Sequence, residues 1–180
     1  MKPAVDMASA WARCELCPRR CGANRRAGER GWCGASDRVR LHSFRPHHGE
    51  EPPISGTRGS GGMFFSRCTL RCLYCQNYPW SQMGRGEDYS PADLLGVFRR
   101  LRQQGCHNWN WVSPTPWLPA LLDALDALAR AGETLLPVVV NTSGYERVET
   151  IRALAGRVAV YLADLRYADN ATALEASGAD

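Results

Sequence analysis

From Met63 onward, short apolar runs alternate with amphipathic stretches of helical period, and this alternation limits the fold more than any other feature of the 180 residues. Met63-Phe64-Phe65, residues 108–112, residues 135–140 with three consecutive valines, and residues 158–162 are strand candidates. Ser90-Pro91-Ala92-Asp93 opens a helix with a capping serine and a proline in its first turn. Leu94, Leu95, Phe98 and Leu101 then form one apolar face, and Gly105 ends the helix. Residues 118–131 and 146–154 are the next helices, and another begins near Asn170. Strands separated by helices pair in parallel, and the active residues of such a sheet gather beyond the strands' C-terminal ends. The polar motifs Ser113-Pro114-Thr115-Pro116, Asn141-Thr142-Ser143-Gly144-Tyr145 and Asp164-Leu165-Arg166-Tyr167 all fall at such ends.

The loop after the first of these strands carries Cys68, Cys72 and Cys75, spaced x3 and then x2. Three thiolates so close together can hold three irons of a cubane cluster and leave the fourth iron without a protein ligand. A structural zinc prefers a closed set of four ligands, and that makes zinc the weaker reading of this stretch, with a disulfide loop as the other alternative.

A second group lies near the N-terminus: Cys14, Cys17 and Cys21, then Cys33 after eleven further residues, interleaved with Gly22, Gly28 and Gly31. Four cysteines in twenty residues can close around a metal without a hydrophobic core. The spacing matches no standard zinc ribbon, and zinc and a second iron–sulfur cluster stand as equal alternatives. Either would use these four side chains among themselves. Cys106, beside Gly105, is expected to be a small buried side chain, and the six tryptophans are read as packing.

Residues 35–62 are polar and rich in Gly and Pro, so no helix is expected there. A short strand is expected over residues 39–44. His47-His48 and Glu50-Glu51 read as a solvated loop. Gly59, Gly61 and Gly62 precede a strand, whereas a phosphate-binding glycine loop follows a strand and opens a helix, and the phosphate reading fails on that ground. The predicted organisation is a Cys-rich metal-binding segment at 1–36, a Gly/Pro-rich connector at 37–62 and an α/β unit at 63–180.

Eight cysteines without an apolar leader between Met1 and Met7 point to metal or cluster binding in a reducing cytoplasm. No apolar run reaches the roughly 20 residues of a membrane span. The net charge of +4, from 22 basic and 18 acidic residues, is mild and its arginines are scattered, which argues against nucleic acid as a partner.

The Cys68-x3-Cys72-x2-Cys75 spacing, with Tyr74 just before the last cysteine, resembles the signature of the radical S-adenosylmethionine (SAM) superfamily. Residues 14–180 further resemble a branch of it similar to pyruvate formate-lyase activating enzyme. The matches are Cys14-x2-Cys17-Pro18-x2-Cys21, the return at Cys33-Gly34, Gly49-Glu50-Glu51-Pro52, Phe64-Phe65-Ser66, Cys75-Gln76-Asn77-Tyr78, Thr115-Pro116 and residues 141–145. Arg67 departs from that pattern, standing where glycine is usual, and Arg166 stands where lysine is common.

The resemblance implies a partial (βα) barrel, a [4Fe–4S] cluster on Cys68, Cys72 and Cys75, and SAM chelated to the open iron and cleaved to a 5′-deoxyadenosyl radical. It places Tyr74 against the adenine, Ser113, Pro114 and Thr115 at the SAM amino group, and Asn141, Thr142 and Ser143 at the ribose or carboxylate. Asp164 and Arg166 fall at the fourth strand's end. It also implies an electron donor such as flavodoxin or ferredoxin, and a substrate that is plausibly a backbone glycine of a partner enzyme. Six βα units are implied and four strands are counted, so the barrel is expected to be truncated after about four strands. The competing reading is a non-catalytic zinc-binding or nucleic-acid module in which both cysteine groups hold zinc.

Overall fold

The computed structural model describes residues 4–179. Its centre is a six-stranded sheet in the order β3-β1-β2-β4-β5-β6. The strands are β1 (Val39–His47), β2 (Ser60–Phe65), β3 (Glu87–Tyr89), β4 (Trp109–Val112), β5 (Val138–Thr142) and β6 (Val160–Ala163). The helices are α1 (Pro52–Ser55), α2 (Tyr78–Ser81), α3 (Pro91–Gln103), α4 (Leu118–Arg130), α5 (Val148–Ala153) and α6 (Asn170–Ser177).

β2, β4, β5 and β6 run parallel, as the strand–helix alternation predicts. The sheet as a whole is mixed, however: β1 pairs antiparallel with β2, and β3 antiparallel with β1. The wholly parallel sheet expected from sequence is therefore corrected. The β2 edge is covered by β1, because the connector folds back through α1 instead of crossing over through a long helix.

Several boundaries also move. Residues 35–62 do contain a helix, the single turn of α1, whose prolines stand in the first turn where a missing N–H costs nothing. β1 extends through His47, so this histidine belongs to a strand and packs edge-on against Phe64. Gly61 and Gly62 lie inside β2 and do not precede it. A side chain on Gly61 would meet the Asn108 carbonyl oxygen at 2.6 Å, so its absence is what lets β2 and β4 approach. The third parallel strand begins at Val138 instead of residue 135, because Pro137 has no N–H to give to a ladder; it runs on through Asn141 and Thr142.

One face of the sheet buries the core. Met63 and Phe65 of β2, Trp109 and Trp111 of β4, and Val138 and Val140 of β5 alternate onto that face. Against them lie Leu94, Val97, Phe98 and Leu101 of α3 and the Leu118, Leu121, Leu125 and Leu128 stripe of α4, with Val97 buried where Leu95, only partly buried, was expected on the α3 face. Ser90 caps α3 with a full capping box to Asp93. Cys106 is buried at 3% exposure, in agreement with its reading. Trp109, Trp111 and Trp117 are fully buried packing residues, whereas Trp11 and Trp32 are faces on which Arg25, and Arg19 and Arg71, lie.

The N-terminal segment folds as two 3-10 turns, Ser9–Trp11 and Arg25–Ala27. It is pinned to α5 by Thr150 Oγ1, which donates to the Leu16 carbonyl at 2.8 Å, and by Arg147, which donates to the Glu15 carbonyl at 3.0 Å. Among the described residues no helix is long and apolar enough to cross a membrane.

Candidate functional site

The parallel register sets the site. Phe64 pairs with Val112, Val112 with Asn141 and Asn141 with Leu162, so these four residues stand side by side across the sheet. Whatever follows them in each strand emerges at one edge. Cys68, Ser113, Thr142 and Asp164 are thereby brought to the same rim, though up to 96 residues of chain separate them.

The β2 end is held open by unusual backbone. Arg67 has φ 72°, in the left-handed region where a glycine would be unstrained, which explains why glycine suits this position in the resembled pattern. Its side chain compensates by donating to the Gln82 carbonyl at 2.9 Å. Ser66, fully buried, accepts at its carbonyl from the Trp117 indole N–H at 2.8 Å. That bond fastens the start of the cysteine loop to the 3-10 turn Thr115–Trp117 after β4. Ser113 is likewise left-handed, with φ 57°, and its N–H donates to the Asn141 carbonyl at 2.9 Å.

The three thiols of the loop are free and share one small cluster with Leu70, Ala179 and Tyr145. Cys72 is buried, and Cys68 and Cys75 are half-buried. Burial pushes the Cys68 thiol up to about 11, with the neighbouring Cys72 and Cys75 adding to the rise despite an opposing backbone hydrogen bond at Leu70. Cys75 Sγ lies 3.2 Å from Ser81 Oγ. The Tyr167 hydroxyl donates to Cys72 Sγ at 3.5 Å and accepts from Tyr74 at 2.8 Å. Tyr74, proposed from sequence to face a cofactor, is thus joined to the cysteine loop through Tyr167. Burial, with the bond to Cys72, raises the Tyr167 hydroxyl well above its ordinary value.

The loop is also seated on α6. Leu73 donates its N–H to the Ala176 carbonyl at 2.8 Å, and Arg71 to that of Ser177 at 3.3 Å. Arg19 reaches from the N-terminal segment to the carbonyls of Thr69 and Gly178.

Thr115 and Thr142 meet at one acceptor: Glu146 Oε1 accepts from Thr115 Oγ1 at 2.5 Å and from Thr142 Oγ1 at 2.6 Å. Ser143 and Asp164, with Leu70 and Tyr167, line a cleft of about 370 Å³ between the cysteine loop and the ends of β5 and β6, a volume in the range of small-molecule sites. Thr115, Asn141 and Thr142 lie outside that lining, and the Asp164 carboxylate pairs with Arg166. Glu146 and Tyr167 were given no role from sequence. Glu146 directly follows the motif at 141–145 and Tyr167 closes the motif at 164–167, so position is the available signal, but Thr115 and Cys72, which they meet, lie 31 and 95 residues away.

Cys14, Cys17, Cys21 and Cys33 do converge, lining one small cavity together. Burial raises the Cys14 and Cys33 thiols and pushes Cys17 up to about 12. Among the described residues, no three Cys, His, Asp or Glu side chains are already drawn together as ligands of a single ion. The Cys68, Cys72 and Cys75 set, three free thiols on one loop within one small cluster, matches a cubane in number and softness of donors.

The sequence profile of the Radical SAM superfamily matches residues 63–170. An uncharacterized protein of Methanocaldococcus jannaschii is 32% identical over 166 residues, covering 87% of this chain and 46% of that relative. A second uncharacterized protein of the same organism is 26% identical over 159 residues, covering 79% of this chain and 46% of its own length. The chain thus spans less than half the length of the curated relatives it matches.

Proposed function

Because the chain belongs to the radical SAM superfamily, we propose that Cys68, Cys72 and Cys75 hold a [4Fe–4S] cluster and that the neighbouring strand ends hold SAM for radical chemistry. The observation that carries this reading is the register that sets the three-thiol loop beside the ends of β4, β5 and β6. When bound, the cluster supplies the electron that cleaves SAM to a 5′-deoxyadenosyl radical able to abstract hydrogen.

The chain's own residues bind and orient. Ser143 and Asp164 line the cleft nearest the loop, and Asp164 offers a carboxylate to a ribose hydroxyl or an amino group. Thr115 and Thr142, locked through Glu146, fix the two loops that flank it. Tyr74 presents a ring 57% exposed for stacking on an adenine. Leu70, Ala173 and Ala179 give the cleft an apolar side that limits water.

Arg71, exposed in the cysteine loop, lends positive charge to the rim, which favours an acidic electron donor of the flavodoxin or ferredoxin kind. For the hydrogen donor, the sequence resemblance points to a backbone glycine of a partner enzyme.

Reconstitution without oxygen tests the reading. About four irons per chain, visible absorbance that bleaches with dithionite, and a spectrum altered by SAM are expected. Alanine at Cys68, Cys72 or Cys75 should abolish all three signals. Stoichiometric zinc at these cysteines with no iron would favour the non-catalytic zinc module and sink the enzyme reading.

A further inference from the structure

A cavity of about 570 Å³ lies between α3, α4 and the chain that enters β1, and neither cysteine group nor any of the strand-end motifs lines it. Its volume is that of a small-molecule site. On α4 the lining positions Ala120, Ala124 and Ala127 are small, so the helix surfaces leave a groove between them. The groove follows α4 from Ala120 to Arg130, about 15 Å of helix. Leu94 and Leu95 of α3 line it too, and Leu95 is an apolar side chain that the core buries only in part.

Charge stands around this apolar groove without being neutralised. Arg26, Arg38 and Arg130 line it, with Asp37 and Asp123. None of these five side chains has an ion pair or a hydrogen-bond partner among the described residues. On the same helices Arg99 and Arg102 both pair with Glu133, and Asp126 pairs with Arg157. The charges at the groove are therefore held apart where neighbouring ones are brought together.

The lining states what it would take. An apolar groove gains by removing an apolar body from water. Arginines without carboxylates favour an anionic head. Two aspartates in the same lining repel a polyanion such as nucleic acid, which limits the head to a single charge. We propose that this cavity binds an organic monoanion, an apolar body carrying one acidic group, with its head paired to the arginines of the lining. The site is independent of the radical reading, because it shares no residue with the cysteine loop or with the cleft beside that loop.

The probe is anilinonaphthalene sulfonate, an aromatic monoanion whose fluorescence rises when its rings leave water. Phenylnaphthylamine, the same ring system without the sulfonate, is the neutral comparison. Each is titrated into the folded full chain, and one saturable site for the sulfonate is expected. Arg26→Gln/Arg38→Gln should weaken the sulfonate about 2- to 5-fold and leave the neutral compound unchanged. Ala127→Trp, which fills the groove, should weaken both at least about 10-fold. Should that variant fail to fold by circular dichroism, Leu95→Glu replaces it and should weaken the sulfonate by placing a like charge in the groove. Absence of saturable binding, equal loss of both compounds in the arginine variant, or parental affinity for the sulfonate in the folded groove variant would overturn the proposal.

Discussion

The Thr115 hydroxyl donates to Glu146 across 2.5 Å, and the same carboxylate oxygen accepts from Thr142. Both threonines are buried, so one side chain from the loop after β5 locks two strand ends together. Glu146→Ala leaves two buried hydroxyls without an acceptor and should cost about 1–3 kcal/mol of stability. Urea denaturation measures it, and Glu146→Gln, which keeps an oxygen acceptor, should lose less. An unchanged midpoint in the alanine variant would show that the two hydroxyls find other partners.

Tyr167 is predicted to tune the cluster. Hydrogen bonds to cluster sulfurs raise the reduction potential by stabilising the reduced, more negative state. Tyr167→Phe removes the O–H that points at Cys72 Sγ. A bond worth about 0.5–1.5 kcal/mol corresponds to a fall of roughly 20–60 mV for one electron. Spectroelectrochemical titration of the reconstituted protein reads the shift. Tyr74→Phe, which removes only the bond behind Tyr167, should shift the potential less.

Acid should loosen the contact between α3 and the turn after α4. Hydrogen bonds from Arg99 and then Arg102 hold the Glu133 carboxyl down to about 2, against a usual 4.5. A depressed folded-state value means that folding favours the ionised form. The contribution is therefore complete above about 4.5 and is lost as pH falls toward about 2. Urea midpoints measured across this window should fall more steeply in the parent than in Glu133→Gln. Parallel curves would show the ion pairs to be screened by solvent.

The α3 start is predicted to matter locally. Asp93 N–H donates to Ser90 Oγ at 3.2 Å, and Ser90 N–H donates to Asp93 Oδ2 at 3.1 Å. Ser90→Ala should lower stability by about 1 kcal/mol, and Ser90→Asp should restore much of it. Thermal melts compare the three, and an alanine variant as stable as the parent would mean that packing of Leu94 and Phe98 alone sets the helix start.

What was legible from sequence was local. The cysteine triple, the capping Ser90 and most of the apolar stripe of α3 are encoded within a few residues of one another, so periodicity and spacing expose them. The parallel run of β2, β4, β5 and β6 follows from strand–helix alternation for the same reason. Gly61 and Gly62 misled because glycine signals both a loop and a close approach, and only the neighbouring Asn108 carbonyl distinguishes the two.

The sequence by itself determined the donor chemistry and the alternation that brings polar loops to one rim. Only the tertiary structure decided which distant groups meet there. Arg25 reaches Pro116 across 91 residues, Tyr167 reaches Cys72 across 95, and β1 turns the expected parallel edge into an antiparallel pair. Such contacts depend on register and chain return, which no local propensity specifies, because a side chain's partner is set by where the whole backbone carries it.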